Sequence, residues 1–72
     1  MKDVKYAARI EAVDRDMMQE IDLGEFGRLS KAMLVAKTAA RERGWNQWDW
    51  FVDKYVDGEF VNRRSSVAGF ER

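Results

Sequence analysis

The first third of the chain alternates between apolar and polar residues, a pattern typical of strands with one buried face. Two such segments cover about residues 4–13 and 17–24, and the Asp14-Arg15-Asp16 sequence between them suits a turn. A helix is the alternative for the first segment, because some apolar residues there also fall at helical spacing. Those residues are Tyr6, Ile10, Val13 and Met17. The alternation favours two strands.

Between residues 28 and 43 the apolar positions take the period of a helix. They form one stripe, which consists of Leu29, Ala32, Met33, Ala36, Ala39 and Ala40. Gly44 stands where a C-terminal cap with positive φ is expected, and Arg41 and Arg43 suit the negative end of the helix dipole. Because the stripe is mostly alanine, this helix can lie close to a sheet.

The last part of the chain predicts a β-hairpin over about residues 48–64. Asp57-Gly58 lies between two segments rich in aromatic and β-branched residues, and Asp-Gly is typical of a tight hairpin turn. A helix that begins after Asn46 and ends at Gly58 is the alternative, because Trp48, Val52 and Tyr55 also fall at helical spacing.

Together these elements predict a single small α+β domain over residues 1–64, in the order ββαββ, with an antiparallel sheet packed on one helix. An all-α fold of three helices is the alternative. Residues 65–72 are predicted to form a flexible tail.

The amino-acid composition limits the chemical groups that the protein can use. The chain has 72 residues and no cysteine or histidine, so thiolate and imidazole ligands, disulfides and the commonest catalytic bases are missing. It also lacks a glycine-rich phosphate loop and a nucleophile elbow. We therefore expect no enzyme activity, no metal and no cofactor.

The 13 basic and 13 acidic residues cancel but are unevenly distributed. Residues 11–25 are mostly acidic and residues 28–43 mostly basic, so one side of the molecule is expected to be acidic and another basic. The sequence has no apolar run of the roughly 20 residues that a membrane span needs, and no apolar secretory segment at its N-terminus. We expect a cytoplasmic protein that makes no contact with membranes.

The N-terminal part resembles the AP2 and phage-integrase arm-binding type of domain over about residues 5–40. The resemblance lies in Tyr6-x-Ala8-x-Ile10 on the first strand, Leu23-Gly24-Glu25-Phe26 at the end of the second, and Ala32 followed by further alanines on the helix. It implies a three-stranded sheet on one helix, in which the sheet reads DNA.

The second strand departs from that family where a DNA-reading sheet would carry arginine. Its outward positions hold Glu20 and Asp22, and a carboxylate repels the phosphates that supply most of the DNA affinity. The resemblance therefore supports the topology more than the function. A nucleic-acid site would depend on Lys5, Arg9, Arg63 and Arg64.

The aromatic segment after Gly44 is the main candidate for a binding surface. In a strand, Trp48 and Trp50 face one side while Phe51 and Tyr55 face the other, and one helix covers only one side. Exposed rings rimmed by charge are typical of protein interfaces, although the same rings could be covered by the tail or by a second copy of the chain. The candidate partner-binding residues are Trp45, Phe51 and Tyr55, with Leu34, Lys31 and Arg41 on the helix.

The leading hypothesis is a non-enzymatic protein-binding module. Compact accessory proteins of phages and mobile elements have this size and layout, and steric inhibition of a host complex such as a defence system is a typical outcome. A small DNA-binding or recombination accessory protein is the second hypothesis. A self-associating structural protein, and hence a homo-oligomer, is the third.

Overall fold

The computed structural model describes residues 2–12, 19–44 and 47–66, which form four strands and one helix in the order ββαββ. The elements are β1 (Val4–Ala12), β2 (Glu20–Phe26), α1 (Leu29–Arg43), β3 (Trp48–Val56) and β4 (Glu59–Ser65). All neighbouring strands are antiparallel, in the order β2-β1-β3-β4. The predicted α+β fold is confirmed, and the all-α alternative is wrong.

The hydrophobic core lies between α1 and one face of the sheet. Ala32, Ala36 and Ala40 are fully buried on the helix, and their small side chains bring its backbone close to β1 and β3. Trp50 and Ile10, which are opposite each other in the sheet, are also fully buried. The helix contacts β1, β2 and β3, but within the described residues it makes no contact with β4.

Strand β3 separates its rings between the two faces of the sheet. Trp48 and Trp50 join the core beneath the helix, while Phe51 lies on the opposite face. This alternation confirms that the aromatic segment is a strand rather than a helix.

Strand β2 continues beyond Gly24, where the sequence predicted that it would end, and runs to Phe26. The pairing with β1 shifts between Ala8 and Arg9, which leaves Leu23 as an extra residue. Gly24 has a φ of 103°, so it absorbs this bulge without a steric penalty and the strand resumes. The predicted start of β2, residues 17–18, lies outside the described residues.

The predicted hairpin is present, with Asp57 and Gly58 as its two turn residues. Their φ angles are 51° and 85°, and two positive values are what a type I′ turn requires. Asp57 also exchanges two hydrogen bonds with Asp3, which ties the turn to the start of β1.

The prediction that a tail begins at residue 65 is wrong for its first two residues. Ser65 is the last residue of β4, and Ser66 is buried. The Trp50 backbone N–H donates to Ser66 Oγ at 3.0 Å, and this hydroxyl donates to Asp49. The Trp50 N–H and the Ser66 hydroxyl thereby both have hydrogen-bond partners beside the core, and these bonds hold Ser66 in place. The rest of the predicted tail, residues 67–72, lies outside the described residues.

In the described part of the chain, α1 is neither long enough nor apolar enough to cross a membrane.

Candidate functional site

The face of the sheet opposite α1, called the outer sheet face below, carries most of the candidate residues. Directly opposite residues in an antiparallel sheet share a face, so the pairs Arg9–Phe51, Asp53–Arg63 and Tyr55–Phe60 all project there. None of the described elements packs over this face. The sequence therefore places charged groups and aromatic rings together on one side of the molecule.

An ion cluster occupies the centre of the outer sheet face. Asp53, whose side chain is only 4% exposed, accepts from Arg9 Nη1 at 2.7 Å and from Arg63 Nε at 2.6 Å. Arg63 Nη2 adds a third hydrogen bond at 3.2 Å. Arg9 also donates from Nε to Glu11 at 2.8 Å. The cluster ties β1, β3 and β4 together across three strands.

The surroundings of Arg9 act in both directions on its pKa. Partial burial of the guanidinium favours the neutral form and lowers the pKa. Hydrogen bonds to Glu11 and Asp53, with the coulombic attraction of both carboxylates, outweigh burial and raise the pKa above its ordinary value. Arg9 therefore stays charged wherever the protein is folded.

Phe51 differs from the prediction that it is an exposed anchor. Its ring lies on the outer sheet face as expected, but it is only 9% exposed. The guanidinium of Arg9 stacks 4.6 Å from the ring centroid and that of Arg63 lies 5.6 Å from it. Because Asp53 holds both guanidiniums in position, the ring is covered by cation–π contacts and serves as support for the cluster.

The exposed apolar surface lies beside that cluster, towards the hairpin. Phe60 is 54% exposed and Val61 49% exposed, and Tyr55 is half-buried. Tyr55 and Phe60 meet edge to face, with centroids 5.9 Å apart. Val61 is the extra residue of a bulge where β4 pairs with β3. We call these three residues the β4 patch.

A second exposed surface lies on the far side of the molecule. Leu34 is 66% exposed on α1; Lys31 is exposed one turn before it and Arg41 two turns after it, on the same side of the helix. We call these three residues the helix ridge. The sequence predicted all three as partner-binding residues, and the structure brings them together but places them opposite Phe51 and Tyr55. Trp45, the remaining predicted anchor, lies outside the described residues.

The four residues proposed for nucleic-acid binding do not form one surface. Lys5, Arg9 and Arg63 share the outer sheet face, but Arg64 pairs with Val52 and projects from the helix side. Lys5 Nζ lies 3.8 Å from an Asp3 carboxylate oxygen, and Asp53 neutralises much of the charge of Arg9 and Arg63.

The outer sheet face is acidic overall. Among the described strand residues, three bases project from it, namely Lys5, Arg9 and Arg63. Six acids project from the same face, namely Glu11, Glu20, Asp22, Glu25, Asp49 and Asp53. The acids of β2 lie at the edge remote from the β4 patch, so the face grades from acidic to apolar.

A pocket of about 250 Å³ opens at the hairpin end of this face. It is lined by Asp3, Lys5, Glu25, Tyr55 and Gly58. Its walls are mainly charged, whereas small-molecule sites are mostly apolar. Over the described ranges, no group of three or more acidic side chains is arranged to hold a metal ion.

Sequence reasoning missed the ion cluster and the β4 patch. Arg9 and Asp53 are 44 residues apart, and they meet only because β1 lies next to β3 in the sheet. Phe60 and Val61 looked like ordinary strand residues. The signal that could have found them is the single helix, because one helix covers only one face of the sheet and leaves apolar residues on the other face exposed.

Comparison of the chain with protein-family models, with curated proteins and with solved structures gives no significant match.

Proposed function

We propose that the protein is a non-enzymatic binding module for another protein, and that it contacts this partner with the β4 patch and the adjoining outer sheet face. Steric blocking of a larger complex, such as a host defence system, is the way in which a module of this kind would act. The proposal does not depend on any catalytic group.

The exposure of the β4 patch is the observation that carries the proposal. Phe60 and Val61 are about half exposed on the edge strand β4, and the Tyr55 ring meets Phe60 on the outer sheet face, over which no described element packs. Fully burying a phenylalanine side chain is favourable by roughly 1.5 to 3 kcal/mol, so the exposed part of Phe60 can contribute to the affinity for a partner. Aromatic groups next to arginine are typical of interface hot spots.

The charge of the outer sheet face favours a partner with a basic surface. Six acids and three bases project from this face, and two of the bases are already held by Asp53. A basic partner would gain attraction from the carboxylates of β2 while its apolar residues bury the β4 patch. An acidic partner would meet repulsion there.

The same charges count against nucleic acid as the ligand. Phosphate contacts supply most of the affinity of nucleic-acid-binding proteins, and Glu20 and Asp22 would oppose them on this face. A gel shift at about 50 mM salt tests the alternative, because phosphate contacts are strongest at low salt. A shifted band that K5A and R63A abolish would replace the protein-binding proposal.

The proposal predicts that Phe60→Ser abolishes capture of the partner and leaves the fold intact. The substitution removes the edge-to-face contact with Tyr55, so the free energy of unfolding should fall by about 1 kcal/mol while the protein stays folded. The measurement is quantitative capture from cells that naturally express the protein, with wild type and variant compared protein by protein.

The matched control is Asn62→Ser, on the same strand but on the opposite face. It should capture the same proteins as the wild type. If Phe60→Ser also captures an unchanged set, the β4 patch is not the contact surface and the proposal fails.

A further inference from the structure

The two sides of the molecule carry opposite charges. The outer sheet face has three more acids than bases, as described above. Helix α1 and its N-cap residue carry five bases, which are Arg28, Lys31, Lys37, Arg41 and Arg43, against the single acid Glu42. Two complementary surfaces therefore lie on opposite sides of one small domain, in a chain with no net charge.

The bases at the start of α1, Arg28 and Lys31, lower the stability of the helix. Arg28 is the N-cap residue and makes no side-chain capping bond, and the first turn contains no acid. A positive charge at a helix N-terminus is unfavourable, and the residues preferred at an N-cap are Ser, Thr, Asp and Asn. Such a departure from local preference is expected where residues serve a contact outside the domain.

The helix ridge adds an apolar contact to this charge. Leu34 is 66% exposed, and it lies between Lys31 and Arg41, which are exposed as well. The outer sheet face also combines charge with an apolar contact, but its charge is negative. The carboxylates of β2 lie at one edge and the apolar β4 patch lies at the other. A helix that carries an apolar residue and an excess of bases thus complements a sheet face that carries an apolar patch at one edge and an excess of acids towards the other.

We propose that the protein associates with itself head to tail, and that the helix ridge of one copy docks on the outer sheet face of the next. Each sheet is then covered by a helix on both faces, which is a common layer arrangement in proteins that contain sheets. Because the two contact surfaces differ, the association is heterologous and extends into short chains rather than closing as a two-fold dimer.

This inference goes beyond the proposed function and does not rest on it. It adds one consequence, which is that the partner and the second copy compete for the same outer sheet face. Chains of the protein would therefore shorten when the partner binds.

Sedimentation velocity tests the inference. The wild type should show a sedimentation coefficient that rises with concentration between about 10 and 500 µM at about 20 mM salt. The rise should disappear at about 0.5 M salt, because screening removes attraction between exposed charges. A constant monomer value at both salt concentrations would overturn the inference.

Two charge-reversal variants identify the surfaces. K31E/R41E makes the helix ridge acidic, and E20K/E25K makes the outer sheet face basic, and all four side chains are exposed. Each variant alone should remain monomeric at low salt, and an equal mixture of the two should associate again. The K31E/R41E variant should still capture the partner, so failure here is distinguishable from failure of the proposed function.

Other outcomes exclude the head-to-tail contact. Association that K31E/R41E leaves unchanged, or that persists at 0.5 M salt, would indicate pairing through the edge of β4 and would overturn the inference. So would a mixture of the two folded variants that stays monomeric.

Discussion

At the scale of single residues, Asp53 has the largest influence on the outer sheet face. Its carboxylate accepts hydrogen bonds from two arginines on different strands, and those arginines cover Phe51. A charge that is 4% exposed has lost most of its hydration, so its two partners must replace the water. Asp53 therefore holds in place the two guanidiniums that cover Phe51.

We expect Asp53→Asn to destabilise the protein by about 2 to 3 kcal/mol. Breaking a fully buried ion pair costs roughly 3 to 5 kcal/mol, and the loss is smaller here because the Arg63 side chain is 43% exposed to water. Urea denaturation of both proteins measures the difference. Glu25→Gln is the matched control, since Glu25 is an exposed acid on the same face, and it should change stability by about 0.5 kcal/mol or less. Equal stability of the two variants would show that the cluster contributes nothing.

At the scale of elements, the hairpin turn depends on backbone conformation more than on space. Gly58 has a φ of 85°, and no atom lies within 4 Å of the position that a Cβ would occupy. The cost of a side chain at this position is therefore purely conformational.

We expect Gly58→Ala to destabilise the protein by roughly 1 to 2 kcal/mol, which is the cost of a left-handed conformation for an L-residue. Gly27→Ala is the control, because residue 27 is equally open but does not have a positive φ. It should be neutral or slightly stabilising, because alanine reduces the entropy of the unfolded chain. Thermal unfolding of both variants makes the comparison, and an equal loss in both would contradict the assignment of the turn.

At the start of α1 we expect a substitution that stabilises the protein. Arg28 has φ −129° and ψ 136°, the extended geometry of a capping residue, but it provides no acceptor for the first N–H groups. We expect Arg28→Asp to raise the free energy of unfolding by about 1 kcal/mol, through a capping bond and a favourable charge at the helix dipole. Chemical denaturation measures this gain. A loss of stability would mean that Arg28 already makes a contact that the helix needs.

The sequence predicted each element because each depends on local chemistry. Alternation indicated the strands, alanine spacing the helix, and Asp57-Gly58 the turn. What the sequence could not supply was the strand order, which brings Arg9 to Asp53 and covers Phe51. The bulge at Leu23 was also missed, because a glycine inside a strand and a glycine at its end look alike in sequence.

At the scale of the whole molecule, the position of the single helix determines which surface remains for binding. Helix α1 covers one face of the sheet, and Phe60 stays exposed because it projects from the opposite face, which no described element covers. The ion cluster lies beside the β4 patch and supplies charge without a net excess of bases. Phe60 is therefore the central residue of the proposed contact surface, because it stays half exposed in the described part of the domain.

Capture from the native host with wild type, Phe60→Ser and Leu34→Ser side by side is the most direct test of this account. We expect one or more proteins that wild type and Leu34→Ser enrich equally and that Phe60→Ser does not retain, with all three variants folded at the temperature of the experiment. Retention of those proteins by the folded Phe60→Ser variant would contradict it.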